Sequence, residues 1–140
     1  MIRVVIDTNI VVSALFWNGI PRVVFDAALG KQFLTLTTET HTTELKNVLA
    51  YPKFADQISN HALEIERLVT DYLAIGIVVL PADVFPDIVR DPKDRAVLAC
   101  AVGGKANYIV SGDKDLLVLG IYDGIPILTA EQFLSRLSSG

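Results

Sequence analysis

Carboxylates set in short polar motifs punctuate an otherwise apolar chain. They are Asp7 in Ile6-Asp7-Thr8-Asn9, Glu44 in Glu44-Leu45, Asp94 in Asp91-Pro92-Lys93-Asp94, and Asp113 in Ser111-Gly112-Asp113-Lys114-Asp115. Acids brought to one place repel unless a cation lies between them, so the chemistry open to such a set is cation binding. The single Cys100 can form neither an internal disulfide nor a thiolate metal site. Any metal must be held by oxygen or His.

Whether the acids meet depends on the elements that carry them. Ile2 to Ile6 and Ile75 to Leu80 are continuous apolar runs, the pattern of strands buried on both faces of a parallel sheet. Phe33 to Leu36, Tyr108 to Val110 and Ile125 to Leu128 are shorter runs of the same kind. Helical patterns lie between them: Pro21 to Leu29 with Gly30 as a stop, Thr42 to Leu49 ended by Tyr51-Pro52, and His61 to Leu73. Asp91 suits an N-cap with Pro92 in the first helical position, and Thr129-Ala130-Glu131-Gln132 has capping-box spacing. The alternation predicts an α/β fold with helices on both faces of the sheet.

In an open α/β sheet, ligands bind beyond the carboxyl ends of the strands. Asp7 directly follows the first strand and Asp113 follows the strand ending at Val110. Asp94 at a helix start and Glu44 on the helix after the Phe33 strand can reach the same edge. Each acid alone reads equally well as a cap or a solvated charge, and Thr8, Asn9 and Ser111 as local hydrogen-bonders that stiffen turns. Together they are explained more simply by one shared site.

The set resembles the PIN-domain family. The resemblance rests on Asp7-Thr8-Asn9, on Glu44-Leu45 running into Val48-Leu49 and Pro52-Lys53-Phe54, on Asp91-Pro92-Lys93-Asp94 before Val97 to Ala101, and on Ser111 to Leu117. The closing Gly124 to Thr129 stretch with Phe133-Leu134 is similar to the subgroup of VapC-like toxins of toxin-antitoxin systems. Thr38 stands where Ser is expected ahead of the Glu44 helix and keeps the hydroxyl. The resemblance implies a three-layer α/β/α fold with a central parallel sheet and a metal-dependent ribonuclease. Its acids correspond to Asp7, Glu44, Asp94 and Asp113, and Asp115 lies where some members carry an additional acid. It also implies an RNA substrate, a homodimer and a small antitoxin.

Oxygen ligands without Cys or a paired-His motif favour Mg²⁺ or Mn²⁺ over Zn²⁺. Such ions activate water and stabilise a leaving oxygen, so the protein needs no covalent nucleophile. On this reading Asp7, Asp94 and Asp113 are the principal ligands, Glu44 is a ligand or an orienter of water, and Thr8, Asn9 and Ser111 hold the carboxylates. Arg90, Lys93, Arg95 and Lys114 bracket the acidic motifs and can meet the RNA backbone. His41 reads as exposed or capping, and Cys100 as a small core residue.

Length and composition bound the rest. The 140 residues, 51% hydrophobic and 20% charged, suit a single domain over 1–140 with its own core. The net charge of −4 argues against an open duplex-DNA surface. No apolar run approaches the roughly 20 residues a membrane span needs, and no leader pattern opens the chain, so a cytoplasmic location is expected. Phe16-Trp17, Ile58 and Leu63 are expected to provide apolar surface for a partner. Phosphotransfer folds fit poorly, since a dehalogenase-type phosphatase wants an acid where Asn9 stands. A catalytically silent RNA-binding or regulatory module with the same fold is the stronger rival.

Overall fold

The computed structural model describes residues 1–85 and 87–139. Its strands are β1 (Arg3–Ile6), β2 (Leu34–Thr37), β3 (Ile77–Val78), β4 (Tyr108–Val110), β5 (Ile121–Tyr122) and β6 (Ile125–Leu128). The helices are α1 (Thr8–Phe16), α2 (Ile20–Leu29), α3 (Glu39–Leu49), α4 (Ala55–Asn60), α5 (Ala62–Ile75), α6 (Pro92–Gly103), α7 (Lys114–Leu119) and α8 (Ala130–Ser139), with a 3-10 turn at Pro52–Phe54.

The sheet order is β3-β2-β1-β4-β6-β5, parallel except for β5. β1 lies between β2 and β4, pairing Val5 with Leu36 on one side and Ile109 on the other. Its side chains alternate between the two layers, as a period of two requires. Val4 and Ile6 join Val12, Phe25, Leu45, Tyr72 and Phe133, the contributions of α1, α2, α3, α5 and α8. Val5 joins Leu98, Cys100 and Leu116 from α6 and α7. The result is a three-layer α/β/α sandwich whose apolar central strands are covered on both faces.

Local sequence explains the helix starts that matter to the site. Asp91 caps α6 by accepting from the Lys93 N–H at 2.9 Å, and Pro92 supplies a preset φ in the first turn. Thr38 caps α3 by accepting from the His41 N–H at 3.2 Å, which starts that helix at Glu39, three residues before the expected Thr42. At α8, Thr129 and Gln132 close the reciprocal capping box at 3.1 and 3.0 Å. Gly103 ends α6 where a Cβ would lie 2.0 Å from the Leu80 carbonyl oxygen, so only glycine admits that close approach.

One expectation fails at the edge. Ile75 to Leu80 is not a strand buried on both faces: Ile75 closes α5, and only Ile77–Val78 pair, on the outer side of β2. Val78 and Leu80 are 64% and 87% exposed. An apolar run with one neighbouring strand has one side to pair and little to bury. α1, α4, α7 and β5 add elements that the sequence pattern did not mark.

Candidate active site

The strand order reverses direction between β1 and β4, and the crevice beyond their carboxyl ends is the position such folds use for ligands. Asp7 leaves β1 there and Ser111 leaves β4. The Ser111 hydroxyl donates to Asp7 Oδ2 at 2.7 Å and accepts from the Asp113 N–H at 3.0 Å. Asp113 then caps α7 by accepting from the Asp115 N–H at 2.8 Å. From the facing side, α6 brings Asp94 in its first turn. Since Asp91 holds the capping bond of α6, the Asp94 carboxylate is left for another purpose.

Carboxylate oxygens of Asp94, Asp113 and Asp115 lie within 4.8 Å of one another. Asp7 and Glu44 flank this trio without belonging to it. Glu44 accepts a hydrogen bond from the Thr8 hydroxyl at 2.9 Å and lies 3.9 Å from the Lys93 ammonium. Asn9 is exposed, and its backbone N–H lies near enough to the Asp7 carboxylate to favour its charge without making a capping hydrogen bond. Among the described residues the structure thus groups Asp94, Asp113 and Asp115, with Asp7 close enough to Asp113 and Glu44 to feel their charge.

Electrostatics mark the site as short of positive charge. Burial raises the Asp7 carboxyl above its usual range; the Ser111 hydroxyl and Asn9 N–H offset this in part, while Glu44 and Asp113 add to it. Asp94 is pushed up to about 7 by burial, then by Asp113, Asp7, Asp91 and Asp115. It is 4% exposed, and its Oδ2 has no hydrogen-bond partner among the described residues. A buried carboxylate oxygen without a donor, facing two other acids, fits a divalent cation held by hard oxygen ligands.

The basic residues divide. Arg90 lies 3.6 Å from Asp115, and Lys93 faces Glu44. Arg95 turns one guanidinium nitrogen to the Val89 carbonyl at 3.3 Å, whereas Lys114 is exposed on an open groove with Asn9 and Asp115. Of the two readings of His41, exposed or capping, the first is corrected: it is 7% exposed, burial lowers its pKa, its Nδ1 lies 3.3 Å from the Thr38 hydroxyl that caps α3, and its Nε2 has no partner among the described residues. Its spacing to Leu45 and Val48, four and seven residues on, was the available signal that it faces the core. Cys100 is fully buried, as expected, and its thiol is pushed up to about 12.

A switch-point crevice lined by converging carboxylates defines a class of α/β proteins whose site suits a divalent cation. The chain belongs to the PIN-domain family, whose profile matches residues 3–115. It is also similar to the uncharacterized protein MJ1680 of Methanocaldococcus jannaschii, with 31% identity over 119 residues, covering 84% of this chain and 75% of that relative. No solved structure matches the chain significantly. PIN domains are generally nucleases, and the acid trio could bind a metal.

Proposed function

We propose that the chain is a divalent-metal-dependent ribonuclease that hydrolyses RNA phosphodiester bonds and acts as the toxin of a toxin-antitoxin pair. The observation that carries the nuclease reading is the buried Asp94 carboxylate, whose Oδ2 has no hydrogen-bond partner among the described residues and which lies beside Asp113 and Asp115 at the switch point. Asp7, Asp94 and Asp113 hold Mg²⁺ or Mn²⁺, with Asp115 as an additional ligand. When bound, such an ion supplies a water of lowered pKa and stabilises charge on the leaving oxygen. Glu44, steadied by Thr8, orients the attacking water. Ser111 and Asn9 hold Asp7 in place, and Arg90, Lys93, Arg95 and Lys114 meet the RNA backbone.

The partner readings rest on different support. Trp17, Val23 and Leu63 are 60%, 53% and 84% exposed, apolar side chains that a second copy or a small antitoxin would cover. Among the described residues no single helix is long and apolar enough to cross a membrane. We place the protein in the cytoplasm as a single domain. Cleavage of defined RNAs with and without the cation tests the ribonuclease reading, and light scattering at micromolar concentration tests the homodimer. Growth arrest on expression, relieved by a small protein encoded beside it, tests the toxin reading.

A further inference from the structure

Where the carboxyl ends of β1 and β2 meet α1, α3 and α5, the packing leaves a small cavity. Its volume is about 20 Å³, and one water molecule needs ~10–15 Å³. Thr8, Thr37, His41, Thr42 and Tyr72 supply polar groups to a wall that is otherwise aliphatic. A cavity of that size stays dry when its wall is apolar and takes up water when polar groups converge on it.

His41 brings an unanswered polar atom to this wall. The residue is more than nine-tenths buried, and its Nε2 has no hydrogen-bond partner among the described residues. Its other ring nitrogen is accounted for. The Thr38 hydroxyl accepts from the His41 N–H at 3.2 Å, and its own hydrogen finds one acceptor among the described residues, His41 Nδ1 at 3.3 Å. A hydroxyl that donates to Nδ1 leaves the proton of a neutral imidazole on Nε2. Burial lowers the His41 pKa and so favours the neutral ring, while Asp7 acts in the opposite sense. The result is a buried N–H donor, an arrangement that is costly unless something accepts from it.

We propose that the cavity binds one water molecule that joins His41 to Thr8 and makes His41 a positioning residue for Glu44. The water oxygen accepts from His41 Nε2–H, and its two hydrogens go to the hydroxyl oxygens of Thr8 and Thr37. Each hydroxyl donates its own hydrogen elsewhere, Thr8 to Glu44 at 2.9 Å and Thr37 to the Thr38 carbonyl at 3.4 Å, and keeps lone pairs with which to accept. Three bonds is about what a buried water makes. The chain of bonds then runs from His41 through the water and Thr8 to Glu44. His41 and Glu44 lie one turn apart on α3, so the chain closes a ring that fixes the first turn of α3 against the start of α1. The link itself is independent of the chemistry at the acids, and its effect on rate rests on the ribonuclease reading.

Structure and kinetics of the full-length protein test this together. In a high-resolution crystal structure, one ordered water lies within hydrogen-bond distance of His41 Nε2 and the Thr8 hydroxyl, and nitrogen NMR finds the His41 proton on Nε2. A dry cavity, or an Nε2 bonded directly to a side chain, overturns the proposal. In single-turnover cleavage of a defined RNA, His41→Leu slows the chemical step roughly tenfold with RNA affinity unchanged. His41→Gln keeps an N–H donor at that reach and restores most of the rate. Thr8→Val combined with His41→Leu is no slower than the slower single variant, because both break the same chain of bonds. A His41→Leu variant as fast as the parent, or losses that multiply to roughly 100-fold in the double variant, overturns the role of His41. If the wild type cleaves no RNA, the ribonuclease assignment fails, while the water and the tautomer still decide the link.

Discussion

The Ser111 hydroxyl lies 2.7 Å from the Asp7 carboxylate and 3.0 Å from the Asp113 N–H, so one side chain joins the ends of the two central strands and sets two acids beside each other. It is fully buried, and its donated hydrogen bond offsets part of the cost of burying Asp7.

Ser111→Ala therefore leaves a buried carboxylate short of a donor and frees the turn before α7. We expect a loss of about 1–3 kcal/mol by denaturant unfolding. Metal affinity falls roughly 10- to 100-fold, as for other groups that orient ligands. A variant as stable as the parent and equally avid for Mn²⁺ contradicts this role.

Thr8 is 5% exposed and donates to Glu44 across 36 residues of sequence. Thr8→Val keeps the shape but removes the donor, and RNA cleavage falls roughly tenfold or more if Glu44 orients water. Thr8→Ser retains most of it. Comparing the two variants in a single-turnover assay separates loss of the hydroxyl from loss of packing.

Asp94 gives the protein a metal-free stability that depends on pH. Its folded pKa of about 7 exceeds the ordinary 3.8, so its contribution is fully present below about pH 4, is lost as the pH rises towards 7 and levels off above that. Asp94→Asn removes this loss. In EDTA it melts like the parent near pH 4 and is more stable at pH 8 by on the order of 2–4 kcal/mol, since each pH unit separating the folded and unfolded pKa is equivalent to ~1.4 kcal/mol. The parent also binds Mn²⁺ more tightly at pH 8 than at pH 6, because a proton on Asp94 competes with the cation. Parallel stability curves for the two proteins across this range contradict the assignment.

The sequence made the cap at Asp91, the acids at the ends of β1 and β4, and the layered alternation readable, because each depends on residues close together in the chain. α1 was not legible: Val11, Val12, Ala14 and Leu15 are all buried, so it lacks the polar face whose periodicity announces a surface helix. β3 was read as a central strand because apolar content reports hydrophobicity and says nothing of how many strands lie alongside. The preference of the acid trio for Asp115 over Glu44 follows from the turn at Asp113 and the bond to Thr8, which are set by tertiary geometry. For the same reason His41 showed its helical face in the sequence but gave no sign of its unpartnered Nε2.

Gly103 links the fold to the site, since α6 carries Asp94 at its other end. Gly103→Ala forces a Cβ into the Leu80 carbonyl and costs about 1–3 kcal/mol, as overpacked positions do. Thermal melts check this, with Gly112→Ala as the control, where the nearest atom to a new Cβ is Ile10 Cδ1 at 3.9 Å, an ordinary van der Waals contact. Equal melting of both variants removes the close approach as a constraint.

Whether the acids beyond β1 and β4 form a metal-dependent ribonuclease site is decided by the cleavage rate of a defined single-stranded RNA. The purified protein and its Asp94→Asn variant are compared with Mg²⁺, with Mn²⁺ and with EDTA. We expect cleavage that requires either cation, stops in EDTA, and falls by at least about 100-fold in the variant, ~2.7 kcal/mol of lost transition-state stabilisation. Undiminished cleavage in EDTA, a variant as fast as the parent, or a parent that binds RNA yet cleaves none in either cation would contradict the assignment.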